Sequence, residues 1–273
     1  MELEHGNLVE SDLGRWGIPD ANRLFRLGAK LSGGGAHISR TMMLSEITRL
    51  LSVVPAGADM AEYRAAVIDR NALSKVTEST RRRTYRHLRE LYGLDPSIPL
   101  FLLLRQLTQV DPQSTPLIAM LIAWARDPLF RSTTAAILSA RLEQEVSTDD
   151  LEKVATPLLS KQYNAFCIHG IAKNAASSWS QTGHLQGRVN KIRQRAQPKP
   201  VSLTLALLLS QVSGLHGEAV FGSIWCRLLD LTAEQAHLMA IQAHREGLLN
   251  LRSIGSVVEI TFPRFQPHLE EVK

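Results

Sequence analysis

The side chains best placed to do chemistry in this sequence are arginines. In the run from Arg81 to Leu94, RRRTYRHLRELYGL, a helical wheel puts Tyr85, Leu88, Leu91 and Tyr92 on one arc and Arg82, Arg83, Arg86 and Arg89 on the other side. Guanidinium groups are planar, permanently charged, and able to bond phosphate oxygens or base edges in pairs. A row of them on a rigid helix therefore suits a nucleic-acid backbone. Ser79 and Thr80, at the start of the same helix, offer hydroxyls or backbone amides to a phosphate. The competing reading is a solvated helix face, since charge runs usually are just that.

A second cationic group lies further along. From Lys153 to Gly217 the chain has no Asp or Glu over 65 residues, yet it carries eight Lys or Arg. That segment is +8, so the formal net charge of +5 leaves −3 for the rest. Within it Arg188, Lys191 and Arg195 form a stripe, with Arg193 and Lys199 nearby, and all five are candidate phosphate contacts. A linker kept soluble by charge is the alternative, weakened because solvated faces normally mix signs. Arg252, beside a C-terminal turn, is a further candidate for backbone contact. A cationic block implies an anionic partner, and nucleic acid leads the candidates. Aromatic residues number only 15, without a strand-borne cluster, which favours duplex over single-stranded partners.

Enzymatic chemistry finds little support. Gly28-Ala-Lys-Leu-Ser-Gly-Gly34 lacks the Lys-Ser/Thr that follows the last glycine of a phosphate loop, so a plain turn is expected. Cys167 and His169 are the one close Cys/His pair, short of the four ligands of a structural metal site. Asp149-Asp150 reads as helix-start charge. There is no Gly-x-Ser-x-Gly or His-Glu-x-x-His motif. The expectation is a non-enzyme with no cofactor and no metal.

These residues need a scaffold, and the pattern predicts a mainly α protein in four stretches. Residues 1–36 read as a loosely ordered lead-in ending in Ser32-Gly-Gly-Gly35. Residues 37–95 hold three helices, the third basic, the layout of a helix-turn-helix unit. Residues 96–197 read as a helical bundle, with Asp111-Pro112 and Asp127-Pro128 as helix starts and Pro157 kinking or ending its helix. A short helix over 187–196 closes the bundle. Gln197-Pro-Lys-Pro200 marks a boundary. Residues 198–273 read as a winged helix: helices over 201–212, 218–229 and 232–246, then a hairpin turning at Ser253–Ser256. Thr232-Ala-Glu-Gln235 is a capping-box start. Val258, Ile260 and Phe262 alternate with Val257, Glu259 and Thr261 as in a half-buried strand.

At 273 residues and 44% hydrophobic, the chain can bury a sizeable core. Its longest uncharged apolar stretch, 116–125, is far short of the roughly 20 residues a membrane span needs. The opening MELEHGNLVE lacks the features of a signal peptide. Two cysteines fit a reducing compartment, so a cytoplasmic location away from membranes is expected.

Several runs carry a resemblance. Lys30-Leu-Ser-Gly-Gly-Gly35, then Ile38-Ser-Arg40 and a Leu-rich helix to Leu51, resemble the N-terminal signature of the BrxA family of BREX bacteriophage-defence systems. So do Asn190-Lys-Ile-Arg-Gln-Arg195, Pro198, the apolar run Leu203 to Leu209, His216-Gly-Glu218, Trp225, Arg245-Glu-Gly247 and Ile260-Thr-Phe-Pro263. The likeness is diffuse but covers most of the chain. It implies a helical protein with a bundle likened to that of the transcription factor NusB. It also implies DNA binding and work beside other BREX-system proteins, including a methyltransferase, as a non-enzymatic accessory; with the duplex preference above, the expected partner is double-stranded DNA. The rivals are a protein-interaction scaffold within the defence complex and a transcriptional regulator.

Overall fold

A computed structural model describes residues 13–254 and 257–265 of the chain. It is mainly helical, with two small antiparallel hairpins. Two helices are apolar on every side and form its centre, as expected of buried helices. These are α6 (Thr115–Arg126) and α11 (Pro200–Val212); in α6 every residue but Pro116 is buried. Around them pack α5 (Pro99–Val110), with Pro in its first turn, and α13 (Ala233–Arg245), which starts in the expected Thr232–Gln235 capping box. Indole edges tie the two halves of the sequence together. The Trp124 and Trp225 rings meet edge-on at 5.0 Å. Trp225 donates to Ser213 Oγ at 2.8 Å, and Trp124 to Thr134 Oγ1 at 2.7 Å.

Most buried apolar residues from Leu13 to Phe265 belong to one continuous hydrophobic cluster, and Leu129, Ala155, Leu159, Ile168 and Ile171 form a smaller one. The segment 198–200 is thus a connection between packed elements, and α11 beyond it lies against α5 and α6.

Three expectations need correction. The lead-in is packed from residue 13 onward, while residues 1–12 lie outside the described residues. Ala21–Arg26 forms α1, capped by Asp20, and Leu13, Ile18, Leu24 and Leu27 are buried. Their irregular spacing gives no helical or strand period to read. Second, residues 187–196 form no helix. Leu185–Gln186 (β1) and Ile192–Arg193 (β2) pair antiparallel around a loop. Gly187 turns the chain at φ 113°, where an added Cβ would lie 2.1 Å from the Asn190 carbonyl. The stretch 143–146 then bonds β2 from its other side: Val146 N–H donates to Lys191 O and Arg193 N–H to Gln144 O, both at 2.8 Å. Tertiary pairing overrides a ten-residue periodicity. Third, the helix expected over 218–229 is a 3-10 turn, Gly217–Val220, followed by the single-turn α12 (Ile224–Arg227).

Other local readings hold. Asp111 and Asp127 cap the turns that begin at Pro112 and Pro128. Pro157 lies inside α9 (Thr148–Leu159), which ends two residues later. Asn250–Ile254 (β3) pairs with Val257–Thr261 (β4), whose Val258 and Ile260 point inward. The turn residues 255 and 256 lie outside the described residues.

Candidate nucleic-acid interface

The basic run folds as α4 (Glu78–Tyr92). Its start lies earlier than the sequence suggested: Thr77 is the N-cap, and its Oγ1 accepts the Thr80 N–H at 3.2 Å. Thr80 Oγ1 is itself 2.9 Å from Thr77 Oγ1, so the Thr80 hydroxyl takes part in the cap. Ser79 is exposed in the first turn. At the other end Gly93, at φ 93°, ends the helix with a conformation that favours glycine.

The inner face is set by packing. Tyr85, Leu88, Leu91 and Tyr92 are buried, as are Thr84 and His87. The helix lies against α3 (Met60–Ile68) and α6, and the Tyr92 hydroxyl donates to Met42 O at 2.5 Å. Burial drives the Tyr92 phenol far above its usual range. With that face fixed, Arg82, Arg83, Arg86 and Arg89 are all exposed. Arg82 Nε donates to Glu78 Oε1 at 2.8 Å, an exposed i,i+4 pair that water easily competes with. Arg83, Arg86 and Arg89 have no carboxylate partner among the described residues.

Behind this face the structure brings in two cations that the sequence reading did not single out. Lys30 and Arg126 join Tyr85, Arg86, Arg89 and Glu90 around a cavity of about 450 Å³. Arg126 is buried and tied to three backbone carbonyls: Gly28 O, Glu90 O at 3.3 Å and Arg89 O at 3.4 Å. Burial lowers its pKa to about 10, so it stays charged at neutral pH. Lys30 Nζ lies 3.5 Å from Glu90 Oε1. No short-range pattern links residue 30 to residue 126, which explains why the pocket was invisible in sequence.

The second cationic group disperses in the fold. Arg193 is corrected outright: it is 4% exposed, and both its terminal nitrogens meet the Asp230 carboxylate, one at 3.0 Å. Its Nε donates to Ile137 O at 3.0 Å, so it ties β2 to the core and reaches no external phosphate. Lys191 is half-buried, its ammonium donating to Ser180 Oγ at 2.9 Å, and burial lowers its pKa. Lys199 pairs with Asp111 at 3.5 Å. Arg188 is exposed on the β1–β2 loop, and Arg195 is exposed beside a separate groove. Arg252 is exposed on β3, in register with Glu259. The acid-free block draws its counter-charges, Asp111 and Asp230, from outside itself.

Two further polar constellations are present. His37 Nδ1 lies 2.8 Å from Asp127 Oδ2, and His37 Nε2 lies 2.8 Å from Ser178 Oγ. In an open cleft, an acid, an imidazole and a hydroxyl in that order would be a nucleophile with its base. Here all three residues are fully buried, and Ser178 Oγ also accepts the Met42 N–H at 2.9 Å. Burial would raise the Asp127 carboxyl, but His37 and the N–H groups of Phe130 and His37 outweigh it and hold it low. Gly35 makes room for this network: a Cβ there would lie 1.8 Å from Asp127 Oδ1. Asp127 was legible as a helix cap, whereas nothing local marked His37. At the surface, Asp149, Glu152 and His169 bring one ligand atom each within 4.8 Å of one another. The 2.9 Å contact between His169 Nδ1 and Glu152 Oε2 accounts for much of that cluster.

A scan against protein-family models finds no match for this chain, and a search of curated proteins finds none either. Among the described residues no helix is long and apolar enough to cross a membrane.

Proposed function

We propose that the protein binds double-stranded DNA, mainly through phosphate contacts from the outer face of α4, as a non-enzymatic accessory of a BREX-type phage-defence system. The observation that carries the DNA reading is the exposed row Arg82, Arg83, Arg86 and Arg89 on a helix whose opposite face is locked in the core. From Arg82 to Arg89 the helix rises about 10 Å, a length over which duplex DNA carries roughly six phosphate charges. The defence context rests on the resemblance of the sequence runs to the BrxA family. Within this reading α2 (Leu44–Val53), α3 and α4 act as a helix-turn-helix unit with α4 against the duplex. Residues from α11 to β4 act as a winged helix, supported by their order of helical segments followed by a hairpin.

Fluorescence anisotropy with a labelled duplex across a salt series tests the proposal. Four phosphate contacts give a log–log slope of about −3.6. Arg82→Ala, Arg86→Ala and Arg89→Ala combined should bring it to about −1 and weaken binding on every sequence alike. Micromolar-or-weaker binding that ignores salt would sink the idea.

One observation favours a second role, protein docking, for the C-terminal module. Helix α13 is nearly neutral, and its Leu238 is 62% exposed. Leu238 and Met239 line a groove of about 400 Å³ shared with Arg195, Pro198 and Asp230. If scaffolding is the main role, the triple arginine variant keeps its place in the assembled complex and Leu238→Glu loses it.

A further inference from the structure

The cavity behind the arginine row differs from the row itself. Arg86 and Arg89 stand at its rim as exposed side chains, while Lys30 and Arg126 reach it from elsewhere in the fold. Four cationic side chains thus face a single carboxylate, Glu90. An internal phosphodiester of a duplex lies on a convex cylinder, carries one charge and is flanked by sugars on both sides. Projecting arginines can meet it, but it cannot descend into a concave pocket. A terminal phosphate has one ester link and close to two negative charges near neutral pH, so it can enter and matches the surplus of cations.

We infer that this pocket binds a phosphomonoester, either the terminal 5′-phosphate of a DNA end or the phosphate of a free nucleotide. The inference extends the DNA reading by giving α4 a second and distinct ligand, though the pocket stands without it. Arg126 is the anchor. Three carbonyls hold its guanidinium, whose five N–H donors leave two for a ligand. Tyr85 also lines the cavity, and its hydroxyl has no hydrogen-bond partner among the described residues. Lys30 is held in place through its backbone: its N–H donates to Ala125 O and its carbonyl accepts from Arg131 Nη2, both at 3.0 Å. Its ammonium is only loosely engaged by Glu90 at 3.5 Å. Behind Glu90, His87 Nδ1 is buried without a hydrogen-bond partner, 3.8 Å from Oε2. An entering phosphate takes the Lys30 ammonium, and the carboxylate turns toward His87.

Four ligands separate the outcomes for the full-length chain: a closed circular duplex, a linear duplex with 5′-hydroxyl ends, the same duplex with 5′-phosphates, and adenosine monophosphate. Charge-assisted bonds to the added phosphate predict roughly tenfold tighter binding of the phosphorylated ends. Lys30→Gln, whose backbone contacts survive, should abolish that preference and leave binding of the 5′-hydroxyl duplex as it was. Arg126→Lys should weaken the preference, with circular dichroism reporting whether the fold is intact. Binding of adenosine monophosphate that Lys30→Gln removes assigns the pocket to free nucleotides as well as ends. Binding of adenosine monophosphate without any duplex binding keeps the pocket and rejects the DNA reading. Equal affinity for all three duplexes with no nucleotide binding overturns the inference, and the duplex reading survives it.

Discussion

Burial decides the protonation of His184, whose pKa falls to about 4 because its charged form loses its water. Its Nε2 faces Leu228 O at 3.0 Å and its Nδ1 faces the Thr182 hydroxyl at 2.7 Å, partners that suit a neutral ring donating from Nε2. An unfolded histidine takes up its proton near pH 6.5. Between pH 6.5 and about 4 the unfolded chain therefore binds a proton that the folded one refuses, and stability drops by roughly 3 kcal/mol as pH falls. Asp230, next to it, is also shifted down, but because its charged form is favoured by its partners. Burial would raise its carboxyl, but Arg193, His184 and the Ala196 N–H outweigh that and hold it below the ordinary range. Its contribution is complete above the unfolded carboxylate pKa of about 3.9 and is lost as pH falls further, through the folded value. Urea unfolding from pH 8 to pH 3 should show two successive losses. His184→Gln should flatten the upper one and shrink the lower, because Arg193 and the Ala196 N–H then hold the Asp230 carboxyl low without the imidazole.

Helix α4 shows what local sequence can and cannot say. Its amphipathic period, its glycine stop and its outward arginines were all legible, because each depends on neighbours within a turn or two. Its cap was not legible, since Thr77, Ser79 and Thr80 are equivalent in type and only geometry separates them. Thr77→Ala should cost about 1 kcal/mol in denaturant unfolding, whereas Ser79→Ala, which caps nothing, should stay within about 0.5 kcal/mol. Equal effects would mean that the helix starts elsewhere. The β1–β2 hairpin was misread for the opposite reason. Ile192 and Arg193 are fixed by residues 143–146, some fifty positions away, so a wheel drawn on ten residues sees apolar spacing without its cause. The +8 block failed likewise as a surface, because Arg193 and Lys199 meet acids that are distant in sequence.

Mainly helical architecture was readable from composition and period; continuity of the core was not. Leu24 and Leu27 near the start, α6 in the middle, and Trp225 and Phe262 near the end join one hydrophobic cluster. Removing residues 198–273 would strip α11 from α5 and α6 and bare their apolar surfaces. A chain ending at residue 197 should fail to fold, and the intact protein should melt in one calorimetric transition. Two resolved transitions would restore an independent C-terminal domain. The same continuity gives Cys226 a use. Its thiol is fully buried, bonds Val220 O at 3.4 Å, and has its pKa pushed up to about 12 by burial. Cys167, by contrast, is half-buried. Only a thiolate attacks an alkylating reagent, so Cys226 should react only when the core opens. Mass spectrometry of the two sites over hours should show early label at Cys167 and a slow second addition at Cys226, whose pace measures how often the closed protein comes apart.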